Sequence, residues 1–366
     1  MRRLTLLLAA SAVHTLCSGQ LRPGFDKAEY TELLRVFAAQ ADTTMEGFNL
    51  PRPERFALAW KSPVVGLQNR WDLYTDGAGT AAIVVRGPPA QLASWWENSH
   101  AALVPAEGEL DLDGGEPFRY TLSDDPAARV HLGWLIGLGH LQRSILPAID
   151  SLVSAGTRQL ILCGHSQGGA ITYLLTAHLW HLRAIGRLPA DLVMKTYCSA
   201  APKPGNLPFA YGYEAAQREG WAMNVVNSAD WVPEVPVTVQ TVDDFNPVNP
   251  FRNARKAIRS LPFPQDLGLR ILFNRLDRPT RKARRSYHRV LGRTIGRLAA
   301  KNLPGYTAPE LPEGTHFVRT GPFVVLRPDA AYRARFVDDP KKVFMHHLME
   351  PYYDLMLRFP DRVRMP

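Results

Sequence analysis

Apolar runs recur along this chain, separated by stretches in which apolar residues return every three or four positions. Phe56–Trp60 and Trp71–Tyr74 are short runs of strand character. Thr80–Val85, Leu160–Cys163, Leu192–Cys198 and Ala222–Asn227 are more continuous. A strand covered on both faces reads this way, because neither face meets water. A helix is predicted from Asp26 to about Gln40. Asp26 caps it, Glu29 follows three residues on, and Leu33, Leu34, Phe37 and Ala38 form its stripe. Helical spacing returns at about Leu132–Val153, Ile171–Leu182, Leu207–Arg218 and Lys342–Leu357, and Phe317–Leu326 has strand character. Runs alternating with helices predict an α/β fold, a mostly parallel central sheet with helices on both faces. Residues 89–129 read as irregular. From about Asp243 to Gly314 the rhythm breaks, with short helical patterns interrupted by Pro262, Pro264, Pro279 and Pro304. This segment is read as an insertion.

One junction carries chemistry. Leu160-Ile161-Leu162-Cys163 runs into Gly164-His165-Ser166-Gln167-Gly168, and a helical pattern follows. Strand, Gly-x-Ser-x-Gly turn and helix together form a nucleophile elbow, which lifts one hydroxyl off a strained turn. Glycines suit that turn, because side chains at Gly164 and Gly168 would collide in it. The helix N-terminus beneath supplies free N–H groups and a positive dipole end to a developing anion. Ser166 is therefore the candidate nucleophile. It needs a base to take its proton and an acid to orient the base, in the chain order Ser, acid, His. His288, His316, His346 and His347 all follow it. Asp230 stands just past a strand, at the right edge of a sheet. Asp191 precedes its strand, on the wrong side, and Asp243 and Asp244 are further alternatives.

Bulk properties narrow the class. The 366 residues, 46% hydrophobic and 21% charged, suit a soluble globular protein with room for one large α/β domain. Three cysteines exclude a disulfide scaffold, and Cys163 and Cys198 lie in apolar runs as buried free thiols. The formal charge of +9 is unevenly spread: residues 251–302 hold 15 Lys and Arg against 2 acids. That insertion predicts a surface for anionic membranes. No nucleic-acid motif accompanies it, so nucleic acid is not an expected partner. Met1-Arg2-Arg3, an apolar stretch to Leu16 and small residues to Gln20 read as a secretory signal over residues 1–19. The predicted location is outside the cell or in its envelope. Lipidation of Cys17 is the less favoured reading, because Leu16 is the wrong size for that signal. Glu109-x-Asp111-x-Asp113-Gly114 starts like a calcium loop, but Tyr120 replaces the required glutamate, so a solvated acidic loop is expected.

Five ordered stretches and the tail resemble the class 3 lipases, the fungal-type family of α/β-hydrolases. They are Val84-Val85-Arg86-Gly87, Val130-His131-Leu132-Gly133-Trp134, Gly164–Ala170, Ala201-Pro202-Lys203-Pro204-Gly205-Asn206, Val225–Pro236, and His347-Leu348-Met349-Glu350-Pro351-Tyr352. The resemblance implies one lipase-like domain over residues 20–366 and hydrolysis of lipid carboxylic esters without metal or cofactor. It implies a triad of Ser166, Asp230 and His347, with His346 as the fallback base, and a lid within 89–115. His131 and His165 then have structural roles, and Trp95, Trp96 and Trp134 belong to core or pocket wall. The oxyanion hole would use the Gln167 N–H and a donor near Gly87; Gln167 itself stands where the family has leucine. Where the family has Ser or Thr after Arg-Gly, this chain has Pro88, with neither N–H nor hydroxyl. Three readings follow: a triacylglycerol lipase, a phospholipase A1 or soluble-ester esterase, and a catalytically weak or inactive lipid- or envelope-binding protein on the same fold.

Overall fold

The structure, a computed structural model, describes residues 20–41, 48–217 and 220–360. The expected signal segment 1–19, with Cys17, lies outside these residues. In chain order the elements begin with α1 (Lys27–Ala41), β1 (Ala57–Lys61), β2 (Trp71–Thr75), β3 (Thr80–Val85) and α2 (Leu92–Ser99). Four short strands follow: β4 (Leu103–Pro105), β5 (Glu107–Leu110), β6 (Phe118–Thr121) and β7 (Arg129–His131). Then come α3 (Leu132–Ser154), β8 (Gln159–His165), α4 (Gln167–Ala184), β9 (Val193–Ser199), α5 (Leu207–Ala216) and β10 (Ala222–Asn227). Helices α6 (Ala254–Arg259), α7 (Gln265–Tyr287) and α8 (Ile295–Ala300) occupy the insertion. Strand β11 (Phe323–Leu326), α9 (Ala330–Arg335) and α10 (Met349–Arg358) complete the described chain.

The central sheet has seven strands in the order β1-β2-β3-β8-β9-β10-β11. The first three strands pair antiparallel; from β3 onward all pairs are parallel. The apolar runs explain its place. Alternate residues of one strand go to opposite faces. Ala81, Ile83, Leu160 and Leu162 join one core with α3 and α4. Ala82, Val84, Ile161 and Cys163 join the other with α1 and α10. Every residue of β3 is buried, as its unbroken apolar run requires. Parallel pairing brings the carboxyl ends of β3, β8, β9 and β10 to one edge, where Gly87, Ser166 and Asp230 follow their strands. The fold is that of an α/β-hydrolase.

Several boundaries differ from the sequence reading, each for a local reason. The closing helix begins at Met349 instead of Lys342. Proline lacks an N–H and is tolerated only in a first helical turn, so Pro351 sets that start. His346 and His347 lie before it, in a one-turn 3-10 helix, Met345–His347. The strand expected over Phe317–Leu326 is confined to Phe323–Leu326, because Pro322 cannot donate to a ladder. Residues 89–129 are not irregular: they hold α2 and two small two-stranded sheets, β4–β7 and β5–β6, with strands too short for a period to show. The elbow helix starts at Gln167, four residues before Ile171. In the insertion Pro279 does not break α7, which runs through a π-helical segment, His288–Thr294, into α8. Cys163 and Cys198 are free and buried. No helix among the described residues is long and apolar enough to cross a membrane.

Candidate active site

Strand β8 delivers Ser166 at the sheet edge. Its backbone has φ 62° and ψ −129°, a conformation that L-residues rarely adopt. The surrounding chain over-determines that strain. A Cβ on Gly164 would sit 2.4 Å from the carbonyl carbon of Gly168, and one on Gly168 would sit 2.2 Å from the Val85 carbonyl oxygen. Strand, turn and helix thus meet at backbone contact, as only glycine permits. The Ser166 N–H donates to the Ser199 carbonyl at 2.9 Å, fixing the turn to β9. A Cβ on Gly87 would lie 3.8 Å from the Ser166 Cβ, so the Gly87-Pro88 segment passes beside the serine.

Asp230 follows β10 in a tight turn, its N–H donating to the Asn227 carbonyl at 3.0 Å. Its side chain is buried and accepts three hydrogen bonds. The Val232 N–H donates to Oδ1 at 2.9 Å, while His347 Nδ1 and the Tyr352 hydroxyl each donate to Oδ2 at 2.8 Å. A carboxylate can only accept, so Nδ1 carries the imidazole proton and Nε2 keeps a lone pair. The His347 carbonyl in turn accepts from His165 Nε2 at 2.8 Å. His165 Nδ1 then accepts from Ser199 Oγ at 2.9 Å, and Tyr30 lies 2.6 Å beyond on Ser199. Burial holds the His165 imidazole well below its ordinary pKa and hence neutral, as this chain requires. His165 therefore ties the residue before the serine to the loop that carries His347.

His346 points elsewhere. Its ring lies 2.7 Å from the Tyr332 hydroxyl and 2.8 Å from Asp338, and makes no bond to Asp230. His131 caps α3, accepting from the Trp134 N–H at 3.3 Å, and stacks on Trp134 at 3.7 Å. His288 bonds the Leu311 carbonyl within the insertion.

Gln167, the first residue of α4, has a buried side chain held on both ends. Its Oε1 accepts from Ser94 Oγ at 3.0 Å and from Asn98 Nδ2 at 2.9 Å. Its Nε2 donates to Glu97 Oε1 at 2.9 Å. Asn69 Nδ2 donates to the other Glu97 oxygen at 2.6 Å. Glu97 is wholly buried without a cationic partner, and burial pushes its carboxyl up to about 8. Three residues of α2 thus clasp the residue after the serine. The sequence reading missed Glu97 and Asn69, and it quoted Tyr352 in the tail motif without giving it a role. The unusual Gln167 was the signal for the first two, since a buried amide demands partners.

Ser166, Gly87, Pro88, Gln167 and His347 line one cleft of about 1410 Å³. Its walls are largely aromatic and aliphatic, with Trp95, Trp134, Trp231, Phe336, Val343 and Phe344. Phe344 packs against Trp95, Trp231 and His347 at ring separations of 5.9, 5.3 and 6.0 Å. No residue of 243–314 lines the cleft. The acidic loop after β5 is an ordinary solvated turn: Asp113 pairs with Arg143, which lowers its carboxyl to about 2.

The strained serine stands at the carboxyl edge of a mostly parallel sheet and shares a cleft with a buried Asp-His pair, the layout of a nucleophile elbow. Residues 82–240 match the family model described as lipase (class 3). Solved structures similar to the chain include fungal lipases. A Rhizomucor miehei lipase in complex with its propeptide is 20% identical, with a TM-score of 0.39, covering 57% of this chain and 62% of its own. A Yarrowia lipolytica lipase is 19% identical at a TM-score of 0.42, covering 60% and 79%. A Penicillium expansum triacylglycerol lipase is 17% identical at 0.42, covering 58% and 75%. No curated protein matches the chain.

Proposed function

We propose that the protein hydrolyses carboxylic esters of lipids through an acyl-enzyme, with Ser166 as nucleophile, His347 as base and Asp230 as its orienting acid. Ser166 Oγ attacks the ester carbonyl while His347 Nε2 takes its proton. The imidazolium formed is stabilised by Asp230, which already holds Nδ1–H. His347 then protonates the departing alcohol, and water, activated by the same base, releases the acid. The Gln167 N–H at the head of α4 stabilises the tetrahedral oxyanion. Gly87, beside Ser166, is the second contributor in place of the absent Pro88 N–H.

The observation that carries this reading is the strained Ser166 in one cleft with the buried His347–Asp230 pair. The apolar walls and volume of that cleft favour a lipid acyl chain. A fluorophosphonate probe is expected to label wild-type protein at Ser166 and to leave Ser166→Ala unlabelled. Wild-type protein without an adduct would sink the proposal. Secretion through residues 1–19 and contact with an anionic membrane through residues 251–302 belong to the same reading; cleavage near Gln20 on expression with a secretory host tests the first.

A further inference from the structure

Helix α7 turns apolar residues outward. Leu269, Leu272 and Leu276 are 44%, 55% and 67% exposed, and Phe263, just before the helix, is 80% exposed. Their spacing of three and four residues sets the leucines in one line along the helix. Arg275, Arg278, Lys282 and Arg285 lie on the adjacent strip, all exposed and none paired with an acid among the described residues. The two acids of α7 are occupied: Asp277 is buried against Arg255 and Arg281, and Asp266 pairs with Arg270. The inner side of the helix is where Asp277 and Arg284 are buried, with Arg284 holding Asp243 and Glu313. The helix is therefore anchored by ion pairs on its inner side and faces outward with leucines beside unpaired cations.

We propose that this outer face of α7 docks the protein on an anionic lipid surface, the leucines and Phe263 entering the acyl boundary and the cations meeting headgroup phosphates. This deepens the membrane contact of the proposed function to a named face, but it stands on geometry independent of catalysis. Charge complementarity selects the occupant. A polyanion such as nucleic acid would engage the cations and have no use for a line of exposed leucines. A second copy would have to bring another cationic segment against the first, which repels. The bilayer interface takes both features at once. The face also connects to the cleft. Helix α8, continuous with α7, packs on α2: His100 bonds the Leu291 carbonyl, and a Cβ on Gly296 would meet the His100 ring at 2.7 Å. Trp95 and Asn98 of α2 line the cleft.

The test uses the full chain, with vesicles of phosphatidylcholine alone and of phosphatidylcholine with phosphatidylglycerol, read by co-sedimentation. Wild-type protein is expected on the anionic vesicles only. Replacing Arg275, Arg278, Lys282 and Arg285 by Gln is expected to weaken binding by about a hundredfold or more, at about fivefold per cation. The decisive variant is Leu276→Lys, at an exposed position where folding is safe. It adds a positive charge, so docking by charge alone predicts tighter binding, whereas insertion of the leucines predicts binding about tenfold weaker. Tighter or unchanged binding by Leu276→Lys overturns the proposal, as does wild-type binding to neither vesicle. Sedimentation velocity without lipid that shows a wild-type dimer dispersed by Leu276→Lys also overturns it. Hydrolysis of a short soluble ester is expected at the wild-type rate in every variant. Its loss in wild-type protein would count against the catalytic proposal alone.

Discussion

Tyr352 shows how much of the site rests on single atoms outside the proposed triad. Its hydroxyl donates to Asp230 Oδ2 and accepts from the Asn227 N–H at 3.0 Å. Tyr352→Phe strands a buried N–H and removes one donor from the acid. We expect a loss of about 1–3 kcal/mol in stability and a fall of about tenfold in kcat with little change in KM, measured by denaturant unfolding and ester kinetics. Asp230→Asn should cost about 10⁴ in kcat, through the wrong imidazole tautomer. Glu97 makes a pH prediction. Its carboxyl is raised to about 8 in the folded protein from an ordinary 4.5. The folded state thus keeps a proton that the unfolded state has lost, and stability falls as pH rises between those values. Glu97→Gln abolishes the titration. Its melting temperature, compared with wild type from pH 5 to pH 8, should lose that part of the decline; parallel curves would contradict the assignment.

The elements place these atoms, and two of them act as clamps. The elbow depends on backbone contact, so Gly164→Ala must displace the Gly168 carbonyl. A loss of about 3 kcal/mol or more is expected, read as a lowered thermal midpoint. Helix α2 is held to the elbow through Gln167. Restoring the leucine usual in the family would strand Glu97, Ser94 and Asn98 together. Gln167→Leu should therefore be costly alone and less so beside Glu97→Leu, with a coupling of about 1–3 kcal/mol in the double-mutant cycle. The lid expected within 89–115 contains a helix that this network fastens, a consequence the sequence carried only as one odd residue. What was legible follows the same physics. Continuous apolar runs revealed β3 and β8–β10, since burial on both faces is written in composition. The strands of three and four residues between α2 and α3 were not, because two alternations make no period. Proline was read too strongly at Pro279, on an exposed helix where water meets the freed carbonyl, and too weakly at Pro322 and Pro351, which set element ends.

At the scale of the molecule, the catalytic candidates were found because parallel connectivity sends strand ends to one edge, so order along the chain becomes neighbourhood in space. Periodicity alone did not separate His347 from His346; the resemblance of the tail did, and in the structure it is His347 that turns toward Asp230. The position of the insertion was hidden. Its charge was plain, yet its place beside α2 and away from the cleft depends on Gly296, His100 and Leu291. Separation of the two surfaces predicts that rising salt weakens vesicle binding steeply while hydrolysis of a soluble ester barely changes; a matched salt dependence of both would show that they are one surface.

The bond between Asp230 and His347 spans 117 residues of sequence. During synthesis at about 5–20 residues per second, the acid waits on the order of 6–25 s for its partner. Until then Ser166 lacks its proposed base, and its neighbour His165 lacks the His347 carbonyl it will bind. In the proposed mechanism a growing chain therefore gains its base only when α10 packs against α1 and the turn before it brings His347 to Asp230.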